Sequence, residues 1–115
     1  MTTVVSINDR RVKGKRDIML YGHFIEHFHM QIYDGIFAPG NPLSDEDGFR
    51  TDIIDAMKKI RVPILRWPGG CFVSSYHWKD AVGATRKPMF DKAWRVEDPN
   101  TFGTDEYIKL CRKIG

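Results

Sequence analysis

The sequence predicts an α/β chain in which strand, long loop and helix follow one another twice, the pattern of the first two strand–helix units of a (β/α)8 TIM barrel. Short apolar runs at residues 18–21 and 64–67 each lead, through a stretch punctuated by Gly and Pro, into a segment with helical apolar spacing. Alternation of strand and helix calls for parallel strands joined by helical crossovers. Each strand-to-helix loop is long and the helix-to-strand link is short, so the long loops gather at the strands' C-terminal face, where barrel active sites lie.

Thr3 to Ile7 is β-branched and weakly alternating before Asn8-Asp9, which predicts an edge strand or hairpin ahead of Arg16. The next strand is expected over Ile18 to Tyr21, ending at Gly22. From there to Leu43, Gly35, Pro39, Gly40 and Pro42 forbid a continuous helix. Ser44 offers a capping side chain, and Asp45, Glu46 and Asp47 put carboxylates at the positive end of a helix dipole, so a helix is predicted to start there. Phe49, Ile53, Met57 and Ile60 would be its apolar stripe, with Lys58, Lys59 and Arg61 in its last turn.

Val62-Pro63 interrupts that helix, and Ile64-Leu65-Arg66-Trp67 reads as a short buried strand. Trp67 to Phe102 reads as a second irregular stretch. Thr104-Asp105-Glu106 opens a second helix with Tyr107, Ile108, Cys111 and Ile114 as its stripe, and Gly115 sits where a helix stop belongs. Two units are a quarter of a barrel. Alone they would leave strand edges unpaired and apolar helix faces uncovered, so a fragment or one part of a larger assembly is expected.

A length of 115 residues with 42% hydrophobic and 29% charged residues suits one soluble globular domain. The net charge of +3 is densest at Arg10, Arg11, Lys13, Lys15 and Arg16. That run is short and without interleaved aromatics, so it reads as a solvated hairpin or linker, and nucleic acid is not an expected partner. Cys71 and Cys111 have neither zinc-site spacing nor the density of a disulfide scaffold, so reduced thiols are expected. Met1-Thr2-Thr3-Val4-Val5 lacks the basic and apolar parts of a signal peptide, and no stretch has the length of a membrane span. A cytoplasmic protein with no membrane partner is the expectation.

Trp67, Trp78 and Trp94 all lie at or after the second strand, with Phe72, Tyr76 and Phe90. Such rings form either a satellite core beneath the loop or plates for the C–H face of a sugar, and the two readings can coexist. Arg66, at the end of a buried strand, requires an anionic partner and is placed to orient a carboxylate, while Pro68-Gly69-Gly70 lets the backbone turn sharply beside a ligand. Gly22-His23-Phe24-Ile25-Glu26-His27-Phe28-His29 puts a carboxylate just beyond the first strand, on the face of Arg66. Its histidines do not follow the His-Glu-x-x-His pattern, so no metal is assigned. Sugar contacts or internally satisfied histidines fit better.

These residues resemble family 51 of the glycoside hydrolases, whose members are mainly α-L-arabinofuranosidases. The matching segments are Tyr21-Gly22-His23-Phe24-Ile25-Glu26-His27, Tyr33-Asp34-Gly35-Ile36, the run from Val62 through Arg66-Trp67-Pro68-Gly69-Gly70-Cys71 to Phe72, Tyr76-His77-Trp78-Lys79-Asp80 and Ala93-Trp94. The resemblance implies a (β/α)8 barrel over residues 17–115, preceded by a strand of an accessory β-sandwich within residues 1–16. It implies retaining hydrolysis of terminal arabinofuranose in plant oligo- and polysaccharides, with no cofactor. Glu26 matches a carboxylate that hydrogen-bonds the sugar hydroxyls. Cys71 matches a sugar-site position that is asparagine in some relatives and cysteine in others, and Trp94 a tryptophan lining the cleft. Arg66, with Trp67 beside it, resembles the arginine that steadies the nucleophilic carboxylate.

The family's acid/base and nucleophile glutamates belong to later strands, so no catalytic residue is expected in this chain. Retaining hydrolysis needs those two carboxyl groups about 5 Å apart. The full-length protein is expected to be a homo-oligomer. Two other readings are a non-catalytic carbohydrate-binding or interaction module and, more weakly, a basic nucleic-acid-binding domain.

Overall fold

The computed structural model describes residues 1–115. Its elements are β1 (His23–Phe24), α1 (Thr51–Ile60), β2 (Leu65–Arg66), a hairpin of β3 (Met89–Asp91) and β4 (Val96–Asp98), and α2 (Thr104–Ile114), with short 3-10 turns between them. β1 and β2 are parallel, pairing His23 with Leu65 and Phe24 with Arg66. The ladder runs on past both strands, since the N–H groups of Ile25 and His27 donate to the carbonyls of Arg66 and Pro68 at 2.9 and 3.1 Å.

Because side chains alternate along a strand, this ladder has two faces. Ile25, Leu65 and Trp67 turn toward the helices and belong to the core or pack against it. Phe24, Glu26 and Arg66 lie on the other face, where Phe24 is 58% exposed. The core beneath the sheet gathers Phe37, Phe49 and Phe102, whose rings meet edge to face at 5.4 to 6.4 Å, with Ile32, Ile36, Ile54 and Leu110. Much of it comes from the first long loop. That loop folds back on itself through Ala38 N–H to the Gly48 carbonyl and Arg50 N–H to the Ile36 carbonyl.

Several expected elements shift. Ile18–Tyr21 is a 3-10 turn and not a strand, because the Asp17 carboxylate accepts from Met19 N–H and curls the chain, and β1 starts only after Gly22. The first helix begins at Thr51 and not at Ser44. The Asp45 carboxylate accepts from the N–H groups of Asp47 and Phe49, holding a turn that Gly48 completes at φ +87°. Ile54 is the buried residue of α1, whereas Ile60 is 60% exposed. In α2 the stripe runs through Tyr107, Leu110, Cys111 and Ile114, and Leu110 replaces the expected Ile108, which points outward. The second long stretch, expected to be irregular throughout, contains the β3–β4 hairpin.

Residues 1–16 form no strand. The expected turn at Asn8-Asp9 is present, with Arg11 N–H donating to the Asn8 carbonyl, but all sixteen residues are exposed, Arg16 resting its guanidinium 4.5 Å from the centre of the Tyr21 ring. On the far edge of β2, Val62, Ile64, Leu65, Tyr107, Cys111 and Ile114 line an open apolar cleft of about 280 Å3.

Candidate functional site

The strand ladder brings Glu26 and Arg66 together from positions forty residues apart. Arg66 Nη2 donates to Glu26 Oε1, and its guanidinium lies 5.2 Å from the centre of the Phe24 ring. The Glu26 backbone N–H donates to Gln31 Oε1 at 2.6 Å, fixing the main chain at that point. Arg66 was expected at a buried strand end; its side chain is 59% exposed, because nothing covers the outer face of the ladder, while Glu26 is 23% exposed. The carboxylate that its guanidinium meets is Glu26.

The Trp67–Pro68 peptide is cis, and Gly69 follows with φ +126°. A Cβ on Gly69 would lie 2.8 Å from the Cβ of Glu26, whereas one on Gly70 would meet open space. Gly69 therefore admits the Glu26 side chain. Cys71 is an exposed free thiol just beyond this turn, and Cys111 is also free.

The tryptophans differ in burial and packing. Trp67 is structural: it stacks on Tyr107 at 5.2 Å and meets Tyr76 and Phe102 edge-on. Trp78 is 55% exposed. Trp94 sits in the hairpin turn, where Asp91 accepts from the N–H groups of Ala93 and Trp94, and its half-buried ring meets Phe28 edge-on at 4.4 Å and His29 at 5.5 Å.

Beside this site lies a buried polar junction in which His27, one of the histidines open to internal pairing, meets partners that the sequence did not mark. His27 Nδ1 lies 2.8 Å from Asp98 Oδ2, with side chains only 3% and 6% exposed. The two atoms are within ion-pair distance, but the contact lacks the angles of a hydrogen bond, and Nε2 has no partner. Asp98 Oδ1 also accepts from the Tyr33 hydroxyl at 2.8 Å and the Asn100 N–H at 2.7 Å, and Tyr33 oxygen accepts from Phe102 N–H. Burial pushes the Asp98 carboxyl up, but the contacts from His27, Asn100 and Tyr33 outweigh it and hold the carboxyl below its ordinary value. Burial, reinforced by the Asp98 charge, drives the Tyr33 hydroxyl far up and the Tyr76 hydroxyl up to about 12. Of the histidines in the expected cluster, His27 is thus internally paired, while His23 and His29 are exposed.

A carboxylate held by a guanidinium, beside exposed aromatic surface, can accept hydrogen bonds from a polyhydroxylated ring. The family profile described as Alpha-L-arabinofuranosidase 1 domain matches residues 56–115. This chain belongs to that family. The α-L-arabinofuranosidase relationship extends to the curated intracellular exo-α-(1→5)-L-arabinofuranosidase of Acetivibrio thermocellus, 48% identical over 100 residues, which cover 85% of this chain and 20% of that protein. The GH51 α-L-arabinofuranosidase structure from Thermotoga petrophila superposes with a TM-score of 0.84 at 56% identity, covering 85% of this chain and 21% of that one. The α-L-arabinofuranosidase of Thermotoga maritima, solved as an arabinose complex, gives 0.81 at 58% identity, covering 83% and 20%. The chain spans about a fifth of the length of these relatives. The family 51 resemblance drawn from the strand-end motifs is borne out.

Proposed function

We propose that the polypeptide to which these residues belong is a retaining glycoside hydrolase that releases terminal α-L-arabinofuranosyl residues from arabinose-containing plant polysaccharides. Residues 17–115 are then the first strand–helix units of a (β/α)8 barrel, and residues 1–16 belong to a β-sandwich. Glu26, Cys71 and Trp94 contact the sugar, with Arg66 and Trp67 supporting them. The observation that carries this reading is the Glu26–Arg66 pair at the C-terminal ends of the parallel strands, on the face turned away from the helices. The arabinose complex of the Thermotoga maritima relative supports the sugar, and the intracellular exo-acting Acetivibrio relative supports a cytoplasmic protein acting at chain ends.

Retaining chemistry uses one carboxyl group to protonate the leaving oxygen and another to attack the anomeric carbon, about 5 Å apart. Glu26 is engaged by Arg66 and is assigned to binding, and those two roles are assigned to glutamates on later strands. The test is hydrolysis of an aryl α-L-arabinofuranoside by the complete polypeptide and by the 115-residue chain. Turnover with retained anomeric configuration is expected from the first and none above background from the second. Turnover by the 115-residue chain that Glu26→Gln abolishes would make Glu26 catalytic and overturn the assignment.

A further inference from the structure

The His27–Asp98 contact is separate from the Glu26–Arg66 pair, yet each partner adjoins a candidate sugar contact. His27 follows Glu26 in sequence, and Asp98 ends the hairpin whose turn carries Trp94. Resting on the assignment of Glu26 and Trp94 to the sugar, we propose that His27 and Asp98 are positioning residues for substrate binding, their buried contact holding the Trp94 hairpin in place against the Glu26 segment.

The hairpin is attached at two points. At its base Asp98 receives His27 and Tyr33, both from the loop that follows β1, and the N–H of Asn100 two residues on closes a local turn. At its tip Trp94 rests on Phe28 and His29 by aromatic edges alone. Between the two, Asp91 is 1% exposed and caps the turn, and β3 pairs with β4 from Met89–Asp98 to Asp91–Val96, so base and tip move together. Apolar packing could fill this volume without the cost of burying charge, but it would not fix a direction; a carboxylate receiving several donors does. Releasing His27 from Asp98 leaves the hairpin base held to that loop by Tyr33 alone and lets Trp94 drift relative to Glu26.

The experiment is a double-mutant cycle in the complete polypeptide, reading KM and kcat for an aryl α-L-arabinofuranoside. His27→Phe keeps a ring to stack on Phe72, now at 4.0 Å, but removes the N–H. Trp94→Ala and His27→Phe are each expected to raise KM about tenfold, the cost of one good contact, with kcat changed by less than about twofold. His27→Asn, whose amide nitrogen falls near the Nδ1 position, is expected to recover most of that loss. In the Trp94→Ala background His27→Phe should add less than about twofold, because the histidine acts through the tryptophan. Full multiplication of the two effects, or a folded His27→Phe enzyme with wild-type KM, overturns the proposal. A wild-type KM for Trp94→Ala overturns it by a distinguishable route, through the assignment of Trp94 to the sugar. If His27→Phe fails to fold, Asp98→Asn takes its place in the cycle with the same expectations, since it keeps an acceptor for Tyr33 and Asn100.

Discussion

Gly69 and Arg66 show how much of the Glu26 environment is set by single neighbours. At Gly69 a side chain meets both a left-handed backbone and the Glu26 methylenes, whereas Gly70 is open. Gly69→Ala should therefore destabilise the protein by about 1–3 kcal/mol and displace Glu26. KM for an arabinofuranoside should rise with it, while Gly70→Ala leaves both unchanged; melting curves and kinetics on the two variants check this. Arg66 is 59% exposed, so its pairing with Glu26 contributes little to stability. In the complete polypeptide Arg66→Ala is expected to keep nearly the wild-type melting temperature and to lose roughly tenfold in kcat/KM, as Glu26 loses its orientation. Equal melting and equal kinetics would mean that the pair does not face substrate. That Glu26 and Arg66 share a face was legible in the sequence from their places beside the two expected strands, but their pairing with each other was not. The Asp98 junction was not, because Tyr33 and Asp98 lie 65 residues apart and no local pattern marks either as buried.

Among the elements, β2 was legible from its apolar run and α2 from carboxylates placed ahead of a helical stripe, whereas the first strand lies after Gly22 and not on the apolar run 18–21. The start of α1 misled because Ser44-Asp45-Glu46-Asp47 has the chemistry of a helix cap, yet Asp45 spends its side chain on a turn that ends before Thr51. The hairpin escaped notice because its strands carry no apolar alternation: Phe90 is 56% exposed and Asp91 and Asp98 are the buried residues. That inversion has a pH consequence. With its carboxyl held below the ordinary 3.8, Asp98 contributes stability that is fully present above that value and is lost as pH falls through the folded-state pKa. Asp98→Asn should therefore lower stability near neutrality and flatten the acid limb below about pH 4. Acid unfolding of the complete polypeptide followed by tryptophan fluorescence checks it, and parallel acid limbs would show that Asp98 is not the group responsible.

As a whole molecule the chain is extended: its radius of gyration is 18.5 Å, against about 13 Å for a compact domain of this length. Only 18 of 115 residues are buried, and Ile18, Leu20, Phe24, Ile60 and Ile64 are all more than half exposed. So small a core offsets little of the chain entropy. The isolated 115-residue chain is expected to melt without a sharp transition and to associate on a sizing column. A cooperative monomeric transition by calorimetry would show that the open β2 edge and its cleft need no cover.

The parallel ladder also has a consequence during synthesis. Its two halves are forty residues apart, so at about 5–20 residues per second the first half leaves the ribosome some 2–8 s before its partner. Throughout that interval Phe24 and Ile25 form an unpaired apolar segment on a nascent chain, open to pairing with another copy. Glu26 stands at its end, where a charge discourages such self-association. The carboxylate that pairs with Arg66 in the finished protein thus stands where a gatekeeper charge belongs while the protein is being made.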